Sequence, residues 1–298
     1  MSVYRFISAE KARTPVSMAC RLLGVSRSGY YGWLTRGPSN REVEDLELTD
    51  LIRDIWRRNR KVYGSPRVHA ELGDEHGIHV GRKRVERLMR QAGISAVTVK
   101  KTRRTTIRVP GVRPAGDLAN RNWTPEAPNR LWVADITYLR TWEGWQYLAA
   151  VQDTYSRRIV GWAMADHMRA ELVVDALRMA VSRRRPEPGL IHHSDQGSQF
   201  VSLLFGQEAR RHGIHRSMGS KGDCFDNSVA ESFFATLKKE LIHRYSWPTR
   251  GDQAREVIDY IEVFYNHQRR HSTLGMRSPS SYETLTQTTP DQTLINRP

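Results

Sequence analysis

The amino-acid sequence predicts an α/β fold, a mixed five-stranded sheet with flanking helices, preceded by all-helical modules. Three observations lead to this prediction. The first 99 residues show only helical patterns of apolar residues. Short apolar or alternating segments, typical of strands, begin after residue 123. They then alternate with segments of helical period, an order that places helices against the faces of a sheet.

The chain of 298 residues is long enough for two or three domains. Changes in composition and periodicity predict five segments. These are an N-terminal helical region (1–60), a second helix-turn-helix-like module (61–99), a basic linker (100–122), an α/β core (123–245) and a C-terminal helical tail (246–298).

Positive charge is concentrated in the N-terminal part of the chain. Residues 1–122 hold 25 Lys and Arg against 12 Asp and Glu, whereas residues 123–298 hold 22 against 20. A polyanion such as nucleic acid is the expected partner, because its binding releases counterions. A merely solvated surface is the alternative, but it would spread the charge more evenly.

Two helix-turn-helix patterns occur within this basic part. The pattern of residues 16–34 predicts two short helices joined by a turn at residues 24–26, and residues 66–93 predict a second pair of helices. The last helix of the second pair carries cations near its start, where the helix dipole disfavours them, so we expect DNA phosphates to compensate them. A solvated helix face is the alternative. The candidate DNA-binding residues are Arg82, Lys83, Arg84 and Arg87.

The sequence argues against export and against a membrane-spanning protein. Cys20 and Cys224 are its two cysteines, too few for a disulfide framework. No apolar stretch of about 18 residues is present, and residues 1–13 carry charges where a signal peptide is apolar. The expected location is a reducing cytosol.

The predicted core has the element order β-β-β-α-β-α-β-α. Its strands are expected at residues 131–139, 146–153, 159–165, 190–193 and 214–217, and its helices at 170–184, 203–212 and 228–242. Four tryptophans lie in the sheet region and are expected to pack in its core. They are Trp132, Trp142, Trp145 and Trp162.

Three carboxylates stand out in this core. Asp135 lies in an otherwise apolar strand, where its desolvation requires a metal or a basic partner. Asp195 follows a short strand, at the end where α/β sheets bind ligands. Glu231 begins a helix. Each has an ordinary alternative: Asp195 suits a turn or helix cap, and Glu231 completes a capping box with Ser228.

Taken together, these carboxylates predict a divalent-metal site. Hard oxygen ligands on a strand, a strand end and a helix start suit Mg²⁺ or Mn²⁺. Two such ions, about 3.5–4 Å apart, can activate the attacking oxygen and stabilise the leaving oxygen in phosphoryl transfer. Lys238 shares a helix face with Glu231 and is a candidate contact to the DNA backbone, as is Lys221 in the glycine-rich segment 218–227.

The spacing and the surrounding motifs resemble a known family. Asp135 and Asp195 lie 60 residues apart, and 35 residues separate Asp195 from Glu231, which is similar to the D,D-35-E signature of retroviral-type integrases and transposases. The motifs WVADITYL, HHSDQGSQF, KGDCFDNSVAESFFATLKKE and YNHQRRHSTLGMRSP resemble the second-frame subunit of the third bacterial insertion-sequence family.

This resemblance implies an RNase H-like integrase core that cleaves DNA and transfers strands by 3′-hydroxyl attack. It implies Asp135, Asp195 and Glu231 as catalytic metal ligands for two Mg²⁺ ions, which Mn²⁺ is expected to replace. Transposon ends and target DNA would be the substrates. An upstream-frame subunit, usually fused by frameshifting, and further copies of the chain on DNA would be the partners.

Two other functions remain open at this level. A simple RNase H-like nuclease would cut DNA without joining it, and a DNA-binding regulator could keep the fold without the chemistry, although the complete carboxylate triad argues against the regulator. A zinc site at His267 and His271, four residues apart on a predicted helix, is disfavoured because no metalloprotease glutamate accompanies them.

Overall fold

The computed structural model describes residues 3–97, 125–218 and 228–288, apart from the side chains of residues 228, 287 and 288. The chain forms two compact units, Met1–Asp54 and Ile55–Pro298. In the described ranges, no helix is both long enough and apolar enough to cross a membrane. The bounds of the five predicted segments stay predictions.

The first unit is helical. Its helices are α1 (Val3–Glu10), α2 (Val16–Leu22), α3 (Arg27–Thr35) and most of α4 (Asn40–Arg58), which runs across the boundary between the units. A small core of Ile7, Ala19, Cys20 and Tyr30 holds α1, α2 and α3 together. The predicted helix pair at residues 16–34 is present as α2 and α3, and α1 and α4 are additional helices.

The second unit begins with the other predicted helix pair, α5 (Ser65–His76) and α6 (Arg82–Gln91). Gly77 caps the C-terminus of α5, and its φ of 64° is a left-handed conformation that glycine adopts without strain. The inward residues of α6 are Val85, Leu88 and Met89, as the helical period predicts.

A mixed five-stranded sheet forms the centre of the second unit, in the order β3-β2-β1-β4-β5. The strands β1, β2 and β3 form an antiparallel meander, while β4 and β5 extend the sheet in parallel from β1. The elements are β1 (Leu131–Thr141), β2 (Gly144–Asp153), β3 (Ile159–Ala165), α7 (Ala170–Arg184), β4 (Ile191–Ser194), α8 (Ser198–Val201), α9 (Leu203–Arg211), β5 (His215–Met218) and α10 (Ser228–Glu240). The predicted order of the core is confirmed, with α8 as an additional short helix.

Both faces of the sheet are covered by helices. On one face, Trp132 and Ala134 of β1 pack in the main core with residues of α7 and α9. On the other face, Val133 packs against Val229 and Ala230 of α10. Because side chains alternate along a strand, Asp135 belongs to the same face of β1 as Val133, the face that α10 covers.

Gly161 on β3 allows α7 to approach the sheet closely. A Cβ atom at this position would lie 2.2 Å from the Ala176 carbonyl oxygen and 2.6 Å from the Ala180 nitrogen. Both are backbone atoms of α7, so a side chain cannot be accommodated unless the helix shifts.

We therefore expect Gly161→Ala to lower the free energy of unfolding by roughly 1–3 kcal/mol, the usual cost of overpacking a core. Urea unfolding followed by circular dichroism would measure it. Gly251→Ala is the matched control, because its added Cβ would have the Thr249 hydroxyl at 3.8 Å as its nearest neighbour. Equal stability of the two variants would contradict the close approach of α7.

His192 on β4 is an ionisable group inside the main core. Its ring centroid lies 5.1 Å from that of Phe205 and 6.1 Å from that of Phe200. Neither ring nitrogen has a hydrogen-bond partner among the described residues. Burial lowers the pKa of His192 to about 3, and the nearby His193 contributes.

This depressed pKa predicts an acid-sensitive stability. Below about pH 6.5 the unfolded chain protonates this histidine, whereas the folded chain does so only near pH 3. The unfolded state therefore binds more protons between these values, and stability falls as the pH decreases through this window. His192→Phe should gain about 2 kcal/mol relative to the unsubstituted chain between pH 8 and pH 5. Denaturant unfolding at both pH values tests this, with His215→Phe at an exposed position as the control; a pH-independent difference would contradict it.

The C-terminal part of the second unit covers the edge of the sheet. It contains α11 (Arg250–Asp259), a π-helical segment (Tyr260–Gln268) and α12 (Pro279–Thr288). The Asn266 side chain accepts a hydrogen bond from the Ile159 nitrogen and donates one to the Ile159 oxygen, both 2.9 Å long. It thereby satisfies backbone groups of β3, an edge strand that would otherwise expose them.

The prediction that one helix carries both His267 and His271 is wrong, because His271 lies outside it. The π-helical segment ends at Gln268, and His271 instead forms an isolated antiparallel bridge with Arg277. Its buried ring packs edge-on against Tyr265, with the centroids 4.9 Å apart. The two histidines therefore do not share a helix face, and His271 packs in the interior.

Arg270 connects the same region to the second helix pair. Its buried guanidinium forms ion pairs with Glu71, Asp74 and Glu75 of α5. Tyr63 adds a hydrogen bond, because its hydroxyl accepts from the Arg270 backbone nitrogen at 2.9 Å. The predicted module 61–99 is thus in direct contact with the predicted C-terminal tail, although the two segments are far apart in the sequence.

Candidate active site

The strand register brings Asp135 and Asp195 together. β1 and β4 are parallel, and their last register pair joins Ala134 to Ser194. Asp135 and Asp195 are the residues that directly follow this pair, so the two carboxylates lie close to each other in adjacent segments. β4 is short and ends there, which leaves Asp195 exposed beyond the strand. Its Oδ1 accepts a hydrogen bond from the Gly197 nitrogen at 3.0 Å.

Asp135 is half-buried within β1, and its Oδ1 accepts a hydrogen bond from the Ile136 nitrogen at 2.7 Å. Burial, together with the negative charges of Asp195 and Glu231, raises the pKa of Asp135 to about 7. The Ile136 nitrogen and the charge of Lys238 oppose this increase. The environment of the Asp135 carboxylate therefore favours the binding of a proton or a cation.

Helix α10 brings Glu231 and Lys238 to the same face of the sheet. Val229, Phe233 and Leu237 are buried on one side of the helix, while Glu231 and Lys238 are half-buried on another, as the sequence predicts. Burial lowers the pKa of Lys238, and the charge of Asp135 acts in the opposite direction. The capping-box alternative for Glu231 depends on Ser228, whose side chain lies outside the described residues.

The three carboxylates interact electrostatically, but their side chains do not converge into a complete metal-binding site. Within residues 3–97, 125–218 and 228–288, no three His, Cys, Asp or Glu side chains form a compact group able to hold a metal ion. The donor types nevertheless suit a hard cation, since oxygen ligands are those that Mg²⁺ and Mn²⁺ prefer. A divalent cation would also relieve the mutual repulsion that Asp135 experiences.

The other predicted DNA-binding residues lie elsewhere. Arg82 and Lys83 are exposed at the start of α6, whereas Arg84 and Arg87 are half-buried. Arg87 donates a hydrogen bond to Gln91 Oε1 at 3.1 Å, within the same helix. Lys221 lies outside the described residues.

The expected core packing of the tryptophans is correct for Trp132 and wrong for two others. Trp132 is fully buried, but Trp142 and Trp145 are 76% and 43% exposed. Leu139, Thr141 and Gln146 are buried on one face of the β1–β2 hairpin. Trp145 lies on the other face beside Arg140, and Trp142 lies at the turn. The turn signal at residues 143–144, directly after Trp142, could have indicated this exposure.

Comparison with known proteins yields three family models that match the chain. Two are described as integrase core domain and match residues 125–224 and 212–279. The third, described as HTH-like domain, matches residues 43–102.

Two curated relatives match nearly the whole chain. The insertion element IS600 uncharacterized 31 kDa protein of Shigella sonnei is 43% identical over 263 residues, which is 88% of this chain and 96% of the relative. The transposase InsF for insertion sequence IS3A of Escherichia coli (strain K12) is 37% identical over 282 residues, or 94% and 98%. A solved HTLV-2 integrase catalytic core domain in complex with magnesium is 17% identical, with a TM-score of 0.40, over 53% of this chain and 98% of that one.

The integrase core models and the mixed sheet define the class of protein: an integrase-type polynucleotidyl transferase. Sequence identity to the two relatives over most of the chain also shows its family. The chain belongs to the IS3 family of insertion-sequence transposases, which confirms the resemblance seen in the sequence. Its activity is accordingly DNA transposition.

Proposed function

We propose that Asp135, Asp195 and Glu231 are the catalytic residues of this transposase and the ligands of its divalent metal ions. The observation that carries the proposal is the β1–β4 register, because Asp135 and Asp195 directly follow its last pair, Ala134 and Ser194. The charge of Glu231, acting on Asp135 from α10, supports its inclusion.

Two Mg²⁺ ions, or Mn²⁺ in their place, fit this donor set because both cations prefer carboxylate oxygen. When bound, they supply Lewis-acid activation of the attacking oxygen and stabilisation of the leaving oxygen. The chain's own contribution is to position these carboxylates on a rigid sheet and a packed helix. Lys238, beside them on α10, would bind a DNA phosphate and hold the reacting strand.

DNA binding outside this site is assigned to the helical modules. The exposed Arg82 and Lys83, with Arg84 and Arg87, would contact phosphates of the transposon ends, and Lys221 would contact DNA near the carboxylates. The substrates are then transposon ends and target DNA. An upstream-frame subunit or fusion, further copies of the chain on DNA, and a nucleoid-associated cytoplasmic location complete the proposal, as the family membership suggests.

A branched DNA that mimics the product of strand transfer tests this function, because its resolution needs little recognition of the transposon end. With Mg²⁺ or Mn²⁺, we expect the full chain to cut the branch and rejoin the interrupted strand in one reaction. Chelation with EDTA should abolish both products. Cutting without a covalently rejoined strand would instead support a simple nuclease. If the chain remains inactive even when fused to the upstream frame, the carboxylate assignment is overturned.

A further inference from the structure

The β1–β2 hairpin presents three aromatic side chains to solvent. Tyr138 is 60% exposed, Trp142 is 76% exposed and Trp145 is 43% exposed; together they are called the hairpin platform below. Single exposed apolar residues are ordinary, but grouped large aromatic side chains mark binding surfaces. The assigned catalytic carboxylates do not account for them.

Cations accompany the rings of the hairpin platform. Arg140 pairs with Trp145 across the β1–β2 ladder, and its guanidinium carbon lies 5.4 Å from the Trp145 ring centroid. The Lys238 ammonium lies 4.9 Å from the centroid of the Tyr138 ring. Tyr138 and Trp145 themselves meet edge to face, with their centroids 5.3 Å apart. The surface therefore combines aromatic faces with positive charge.

The hairpin turn is held in place by the chain that follows α10. The Trp142 backbone nitrogen donates to the Trp247 oxygen at 3.0 Å. The guanidinium of Arg250 donates to the backbone oxygens of Glu143 and Trp145, and its backbone nitrogen donates to the Glu143 carboxylate at 2.8 Å. A surface fixed in this way loses little conformational entropy when it binds a ligand.

Lys238 links the hairpin platform to the candidate active site. Its charge acts on Asp135, and its ammonium group contacts the ring of Tyr138. Because side chains alternate along a strand, Tyr138 and Arg140 belong to the other face of β1 from Asp135, and Lys238 meets Tyr138 beyond Ala134, where β1 no longer pairs with β4. A DNA strand bound at the carboxylates would therefore pass over this edge of β1 to reach the aromatic rings. Paired bases are stacked inside a duplex, so the nucleotides available to a protein ring are unpaired ones.

We propose that the hairpin platform binds unpaired nucleotides of the DNA strand that flanks the reacting bond. Bases stack on its rings, while Arg140 and Lys238 neutralise the neighbouring phosphates, the combination by which single-stranded nucleic acid is bound without base-specific contacts. A protein partner of apolar character is disfavoured, because both cations would be desolvated in such an interface. This inference rests on the proposed function of the carboxylates.

The test compares two double variants of the full chain. Tyr138→Leu with Trp142→Leu keeps apolar side chains but removes the rings, whereas Tyr138→Phe with Trp142→Phe keeps the rings. Each is titrated with a duplex carrying an unpaired 3′ overhang and with a fully paired duplex of the same sequence. The overhang contains 2-aminopurine, whose fluorescence is quenched by stacking, and affinity is measured by anisotropy at one salt concentration.

We expect the unsubstituted chain to quench 2-aminopurine and to bind the overhang DNA about tenfold more tightly than the paired duplex. The leucine variant should lose this preference and the quenching, and the phenylalanine variant should retain both. Thermal unfolding of each variant checks that the fold is kept.

The other outcomes separate the two proposals. If the paired duplex binds and branched DNA is resolved, but the overhang gives no advantage, the hairpin platform is overturned and the proposed function stands. If neither DNA binds, even to the chain fused to the upstream frame, the proposed DNA contacts and the hairpin platform both fail. If the leucine variant keeps the preference but has a lower mass in solution, the surface is a contact between copies of the chain, which also overturns the inference.

Discussion

Asp195→Asn is expected to abolish strand joining on branched DNA, with a loss of at least roughly a thousandfold in rate, or about 4 kcal/mol of transition-state stabilisation. The substitution keeps the size of the side chain and an oxygen able to accept the hydrogen bond from Gly197. It removes the charge from the exposed carboxylate at the end of β4. The fold should therefore be unchanged, and the effect should appear in the chemistry.

DNA affinity provides the internal check on this result. Removing a negative charge beside bound phosphates weakens repulsion, so the affinity of Asp195→Asn for DNA should be unchanged or slightly higher. Asp175→Asn on α7 is the matched control, since it removes an exposed carboxylate, 3.8 Å from Arg178, on another element of the core. An equal loss of binding and joining in Asp195→Asn would show that Asp195 has a structural role.

Arg269→Met is expected to lower the free energy of unfolding by about 3–5 kcal/mol, because it leaves a buried carboxylate without its counter-charge. Arg269 donates two hydrogen bonds to Glu240, of 2.7 and 2.8 Å, and the Tyr260 hydroxyl donates a third at 2.8 Å. Burial would raise the pKa of Glu240, but these partners outweigh it and hold the pKa below its usual value.

The location of this ion pair links stability to activity. Glu240 is the last residue of α10, the helix that also carries Glu231 and Lys238. Chemical denaturation would measure the loss of stability, and joining activity at low temperature would show whether α10 has moved. Arg255→Met is the control, because its ion pair with Asp252 is exposed and should contribute less than about 1 kcal/mol.

The double variant Glu240→Met with Arg269→Met distinguishes two causes of instability, an unpaired buried charge and lost packing of the guanidinium. If an unpaired buried charge is responsible, the double variant should recover much of the stability lost in Arg269→Met. No recovery would mean that the packing of the guanidinium, and not the charge, is what α10 requires.

Periodicity and spacing determined most of the core from the sequence. The alternation at residues 131–165 and the helical repeats after residue 170 predicted the element order, because both patterns are local consequences of burying one face of an element. The candidate triad was accessible for a different reason. Its three carboxylates lie at element ends or in an apolar strand, and their spacing matches a family signature.

The tertiary structure alone decided which side chains are covered and which distant segments meet. Trp132 and Trp145 are both aromatic residues of the sheet, yet helices cover the first and leave the second exposed. Arg270 pairs with carboxylates of α5 from nearly 200 residues away. Local patterns report the period of an element, whereas burial and ion pairing depend on its neighbours in space. The sequence by itself therefore determined the class of fold and the candidate carboxylates. The packing of the elements decided the register that brings Asp135 and Asp195 together, the anchoring of α10 and the exposure of the aromatic hairpin.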